Sequence, residues 1–289
     1  MYLFQNDKKT KMENKNSITM KKMNLKNLLT VIVLIAFLAS MTTGCKKKDE
    51  PAPLIPGIET FKINFDDFGT ASDTTSKGTK DVMSYQNWGH SFANVAIWNI
   101  IITVGLAVPV ASFAEAFNHE AVYDSGDETW TWTYNFNAGG LHTAELTGYM
   151  TGDSVNWEMR IDDFLWYYGK SHENRTGGYW ILNESKLVPT ALLKIAWSND
   201  GSGNASISYT NIAPSTSTHY AEHGGYIWYG TTSDTEFNRF YDIYNKGQDN
   251  LIEIEWNFAN HNGHVKDSAK FGDENWHCWD TNLLDVTCD

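Results

Sequence analysis

Phe92 to Phe117 reads FANVAIWNIIITVGLAVPVASFAEAF. Beyond the N-terminal region it is the one long stretch whose apolar residues fall on every side of a helix. Phe92, Val95, Ala96 and Ile100 share one side; Ile97, Ile101, Val104 and Val108 fall on others. Such a helix is either buried all round or lies in a membrane. Only Asn99 and Thr103, one turn apart, place polarity on a common face. Pro109 cannot donate to the hydrogen-bond ladder and disfavours a helical Val108. The stretch therefore predicts a helix of about five turns, a break, and a short second helix from Pro109 to about Phe117. Val95–Ala114 has the length of a bilayer span, but Asn99, Gly105, Pro109 and Ser112 argue for a core helix instead.

Almost everything after this stretch alternates with the period of a strand. Trp130, Trp132, Tyr134 and Phe136 share one face, with Thr131, Thr133 and Asn135 on the other, and Asn137-Ala-Gly-Gly140 turns the chain into His142, Ala144 and Leu146. Val155, Trp157, Met159 and Ile161 repeat the pattern, as do Leu193, Ile195 and Trp197, and Ile252, Ile254 and Trp256. Before the helix, Phe61, Ile63 and Phe65 predict a half-buried strand, and Gly69–Lys80 reads as a polar loop. The fold class expected is α+β: a large antiparallel, strongly curved meander of about ten strands, half-barrel or barrel-like, wrapped around the hydrophobic helical segment near residues 88–117. Ten apolar side chains on an uncovered helix would forfeit more than the roughly 5–15 kcal/mol that stabilises a typical domain.

Residues 1–44 hold seven lysines and two acidic residues, a net of +5, so with −13 on the whole chain the rest carries a formal charge of −18. Lys21, Lys22 and Lys26 precede an apolar run from Leu28 to Met41, the layout of a signal peptide, starting at Met1, Met20 or Met23. The run closes on Thr42-Thr43-Gly44-Cys45, which resembles the lipobox of bacterial lipoproteins, with Thr42 in place of the usual Leu. The resemblance covers the first 45 residues and implies cleavage before Cys45, lipidation of its thiol, and a membrane partner through the anchor. The division expected is a signal peptide over 1–44, a lipidated tether over 45–58, and one β-rich domain over 59–289. The charged residues after Cys45 resemble surface-export signals of some Gram-negative lipoproteins, so the expected place is the cell envelope, facing the periplasm or exposed on the outer membrane. An acidic body repels nucleic acid, which is discarded as a partner. Cys278 and Cys288, in a compartment that permits disulfides, are expected to pair.

The remaining motifs are weak carriers of chemistry. His219-Tyr-Ala-Glu222-His223 spells an inverted zincin motif. On the strand or loop that its neighbours predict, two histidines four residues apart lie about 13 Å from each other, too far for one metal. His261 and His264 flank a hairpin turn and are expected to be solvated. Asn199-Asp-Gly-Ser-Gly203 has the look of a calcium loop but lacks the carboxylates of a full oxygen shell, and reads as a plain turn. Asp66-Asp67 and Asp162-Asp163 are adjacent pairs that point to opposite faces of a strand, so neither forms an acid–base couple alone. Phe164-Leu-Trp166-Tyr167-Tyr168 breaks the alternation: five large residues cannot all face inward, so part of this run is exposed or caps a cavity.

The expected function is non-enzymatic binding of an apolar small molecule or a glycan, with Asn99, Thr103, Trp166, Tyr167 and Tyr168 as the candidate ligand residues. No catalytic residue and no cofactor is named. The alternatives are a structural or assembly lipoprotein of the outer membrane, and a hydrolase with carboxylates from separate strands.

Overall fold

The computed structural model describes residues 51–69 and 84–288. Residues 1–50, on which the expected signal peptide, Cys45 and the start of the expected tether fall, and residues 70–83, on which most of the expected Gly69–Lys80 loop falls, lie outside the described residues. The described residues form one antiparallel sheet of fourteen strands, each hydrogen-bonded to its neighbour in sequence. They run β1 (Val122–Asp124), β2 (Thr129–Asn137), β3 (Leu141–Thr151), β4 (Ser154–Ile161), β5 (Phe164–His172), β6 (Gly177–Asn183), β7 (Ala191–Asn199), β8 (Ala205–Asn211), β9 (Tyr226–Thr231), β10 (Arg239–Asn245), β11 (Asn250–Trp256), β12 (Gly263–Lys266), β13 (His277–Trp279) and β14 (Asp285–Val286). The first and last strands do not pair, so the sheet is open. The count exceeds the expected ten because β1 and β12–β14, of four residues or fewer, are too short to show an alternation.

Among the described residues three α-helices accompany the sheet: α1 (Gln86–Gly105), α2 (Ala107–Ala116) and the single turn α3 (Ser268–Phe271). The axis bends by 65° between α1 and α2. The break falls at Leu106, three residues before Pro109. A proline at 109 leaves the carbonyl of Gly105 without its donor and clashes with it, so α1 ends at Gly105. Pro109 itself then sits in the first turn of α2, where no N–H is needed. Among the described residues no single helix is long and apolar enough to cross a membrane, although α1 and α2 together pass on length and composition.

The inner face of the sheet packs into one cluster with α1, α2 and the segment before them. Phe113 of α2 stacks with Phe61 and meets Trp180 edge-on, while Phe68 lies edge-on against Trp256 and Tyr241. α1 touches β12, β13 and β14, and α2 touches β2. Phe61, Ile63 and Phe65 are buried as expected, but their segment is not a strand. Phe61 and Ile63 lie between two single turns of 3-10 helix, the second of which begins at Phe65, and the Tyr209 hydroxyl takes the place of a ladder. That hydroxyl donates to Phe61 O (3.0 Å) and accepts from Ile63 N (3.1 Å). A buried backbone needs partners but does not specify their kind.

The sheet does not cover α1 all round. Val95 and Ile102 are buried, but Ile97, Ile100, Ile101 and Val104 are each more than half exposed. At i, i+3, i+4 and i+7 they form one aliphatic stripe. The expectation of a helix enclosed on every side fails on this face.

Candidate functional site

Between α1 and the ends of β5–β11 lies an open-mouthed cavity of about 1080 Å³. Its helix wall is one stripe of α1 that begins with His90 and Asn94 and continues through Ile97, Trp98, Ile101 and Ile102 to Gly105. Leu182, Leu193, Ile243 and Ile252 come from the strands opposite. The size is at the upper end of small-molecule sites, which are mostly apolar with a few placed polar groups.

Two β-bulges shape this wall. Between β4 and β5 the register runs from Met159 opposite Tyr167 to Arg160 opposite Leu165, leaving Trp166 as the extra residue. Between β6 and β7 it runs from Leu182 opposite Leu193 to Asn183 opposite Ala191, leaving Leu192 unpaired. Both extra residues line the cavity. A bulge re-aims one side chain against the alternation of its strand. This accounts for the five large residues at 164–168. Tyr167 keeps the inward position and is fully buried beside Ser112, Tyr168 faces outward and is exposed, and Trp166 turns into the cavity.

The other expected ligand residues are elsewhere. Thr103 Oγ1 donates to Asn99 Oδ1 (2.9 Å), so the two satisfy each other on the helix surface. Asn99 lines a separate recess of about 150 Å³ with Phe65, Phe68 and Phe92. The polar pair was visible in the sequence, but which face of α1 meets the cavity was not. That face carries His90 and Asn94, which the sequence reading missed. Their spacing of four, continuing to Trp98, Ile101 and Ile102, was the available signal.

At the polar end, His90 Nε2 lies 2.7 Å from Asp267 Oδ2. Asn250 Nδ2 (2.9 Å) and the backbone N–H groups of Ala269 and Lys270 (3.1 Å each) donate to Asp267 Oδ1. Asp267 thereby caps α3 and is a buried carboxylate with every contact charge-assisted. Asn94 Nδ2 donates to His90 O (2.9 Å), and Asn183 Nδ2 donates to Leu165 O (2.7 Å). Glu184, His219 and Glu222 complete the rim, with His219 Nε2 3.5 Å from Glu184 Oε1.

The α1 N-terminus is held from the far end of the chain. Asp285 Oδ2 and Oδ1 accept from Gln86 N (3.1 Å) and Asn87 N (2.9 Å), and Asn87 Nδ2 donates to Cys278 O (2.8 Å). Cys278 and Cys288 form a disulfide, which ties β14 with its capping Asp285 to β13.

The histidine motifs do not converge. His219 and His223 flank a single 3-10 turn and take different partners, Glu184 and the Ala213 carbonyl. His264 stacks on Trp276 and meets Glu255 at 2.8 Å, while His261 occupies a left-handed turn position. No group of three metal-ligating side chains occurs among the described residues. In the 199–203 turn, hydrogen bonds from the Ser202 N–H and the Asn204 side chain hold the Asp200 carboxyl down to about 2. Asp162 and Asp163, both at positive φ, form the two-residue β4–β5 hairpin turn. Comparison of the chain with protein-family models, with curated proteins and with solved structures finds no match.

Proposed function

We propose that this protein is a lipid-anchored protein of the bacterial cell envelope whose β body binds an apolar small molecule in the cavity between α1 and the sheet. The observation that carries the reading is the pair of bulges. Two separate hairpins each depart from alternation to add a large apolar residue, Trp166 and Leu192, to the same wall. A sheet built only to fill its own core gains nothing from that departure, whereas bulges recur beside binding sites. The contacts of α1 with β12–β14 and of α2 with β2 support a meander that curls as a half-barrel about the helical pair, leaving the α1 side open as an entrance.

The test is a fluorescence titration with the apolar probe N-phenyl-1-naphthylamine. Gly105 lines the cavity, and a Cβ added there meets nothing within 4 Å. Gly105→Trp should place an indole in the cavity, keep the thermal midpoint, and weaken probe binding about tenfold or more. Equal binding by wild type and Gly105→Trp would place the probe elsewhere and defeat the proposal.

A further inference from the structure

The cavity wall offers unengaged acceptors at its polar end alongside donors such as Gln248, Trp98 and Trp166, and this bears on the ligand's chemistry. The amide nitrogens of Asn94, Asn183 and Asn250 are spent on His90 O, Leu165 O and Asp267. Among the described residues no donor reaches their amide oxygens, and all three residues line the cavity. Glu184 and Glu222 add two carboxylates to the same rim, against one cationic side chain, Lys270. Free amide oxygens and carboxylates accept hydrogen bonds and reject acceptor-only anions. Hydroxyl groups satisfy such a rim because each donates as well as accepts.

The apolar half sets the rest of the molecule. Along α1 the cavity wall passes from His90 and Asn94 to Ile97, Trp98, Ile101 and Ile102. From His90 to Gly105 the helix rises roughly 22 Å, the reach of a long alkyl chain. From these two observations we propose that the ligand is a long-chain amphiphile with an uncharged, hydroxyl-bearing head of the glycolipid or alkyl-glycoside class. Its head lies against the amide oxygens and its tail along α1. The inference rests on the cavity being a binding site and narrows what enters it.

Calorimetric titration of the full-length protein with maltose, and with dodecyl maltoside and dodecyl sulfate below their micelle concentrations, separates the parts. Dodecyl maltoside should bind about tenfold tighter than either of the others. The double variant Glu184→Gln/Glu222→Gln should narrow the gap in affinity between dodecyl sulfate and the maltoside at least about threefold. Equal affinity for maltoside and sulfate, or a gap that the double variant leaves intact, would overturn the assignment of the head. Maltose binding as tightly as dodecyl maltoside would overturn the tail. If N-phenyl-1-naphthylamine binds but no dodecyl compound does, the amphiphile is wrong and the cavity reading stands; if nothing binds, both fall.

Discussion

Gly178 shows how the aromatic core is accommodated. It stands opposite Trp197 on the neighbouring strand, and a Cβ there would run into the Trp197 ring and the Lys170 carbonyl. Gly169 bears the same relation to Trp180, and Gly148 to Trp157. In the sequence Gly177-Gly-Tyr-Trp180 reads as the opening of a strand, with no sign that Gly178 faces an indole. Inside β6, Gly178 leaves the space in which the Trp197 indole lies. Gly178→Ala should cost about 1–3 kcal/mol by overpacking, measured as a lower urea midpoint with an unchanged slope.

Asp242 on β10 stands opposite Glu253 of β11, with Glu255 nearby. Burial first, then the charges of Glu253 and Glu255, push its carboxyl up to about 6, and Lys266 opposes them. A carboxyl raised in the folded state is better tolerated there as the neutral acid. This contribution is present below the unfolded value of about 4 and is lost as pH rises through 6. Asp242→Asn should therefore stabilise the protein at pH 7.5 and leave it unchanged at pH 4. An equal effect at both pH values would mean that the group is not raised. The His142–Asp162 pair at 2.8 Å behaves oppositely. Their mutual hydrogen bond lifts the imidazole and lowers the carboxyl. The pair supports the fold between the two unfolded values and fails below the Asp162 carboxyl's folded value and above that of His142. An NMR titration of His142 should show a raised midpoint that Asp162→Ala restores to the ordinary range.

Among the elements, α1 depends on contacts that sequence order hides. Its N-cap residue Tyr85 supplies no side-chain hydrogen bond; Ser84 Oγ accepts from Gln86 N (3.2 Å), and Asp285, 199 residues from Gln86, accepts from both Gln86 N and Asn87 N. A carboxylate there also meets the positive end of the helix dipole. Asp285→Ala should cost about 0.5–2 kcal/mol, with faster hydrogen exchange in the first turn of α1. Reducing the Cys278–Cys288 bond should loosen the same turn, since it frees the strand that carries the cap.

The limits of the sequence reading share one cause. β2 and β4 were legible because alternation is local, and the α1–α2 break was legible because Pro109 forbids a bond to Gly105. The bulges at Trp166 and Leu192 were not, because a bulge exists only relative to the register of a partner strand. The disturbed run at 164–168 announced a departure without its form. Asn99 and Thr103 drew attention as the polar notch of the helix, yet their mutual hydrogen bond removes the need for a cavity. Asn99→Leu should accordingly leave ligand binding unchanged.

For the whole molecule, the proposed lipid anchor at Cys45 is tested by one substitution. Cys45→Ala should move the protein from the membrane to the soluble fraction. A variant that resists a high-salt wash would point to the exposed stripe of Ile97, Ile100, Ile101 and Val104 as a second hold on the membrane. The central claim is that the space between α1 and the sheet is a binding site. Hydrogen exchange followed by mass spectrometry, with and without saturating N-phenyl-1-naphthylamine, addresses it at the level of segments. The account predicts slowed exchange over 97–106, 164–167 and 191–193, with β2 to β4 unchanged. Protection confined to other segments, or none in those three, would contradict it.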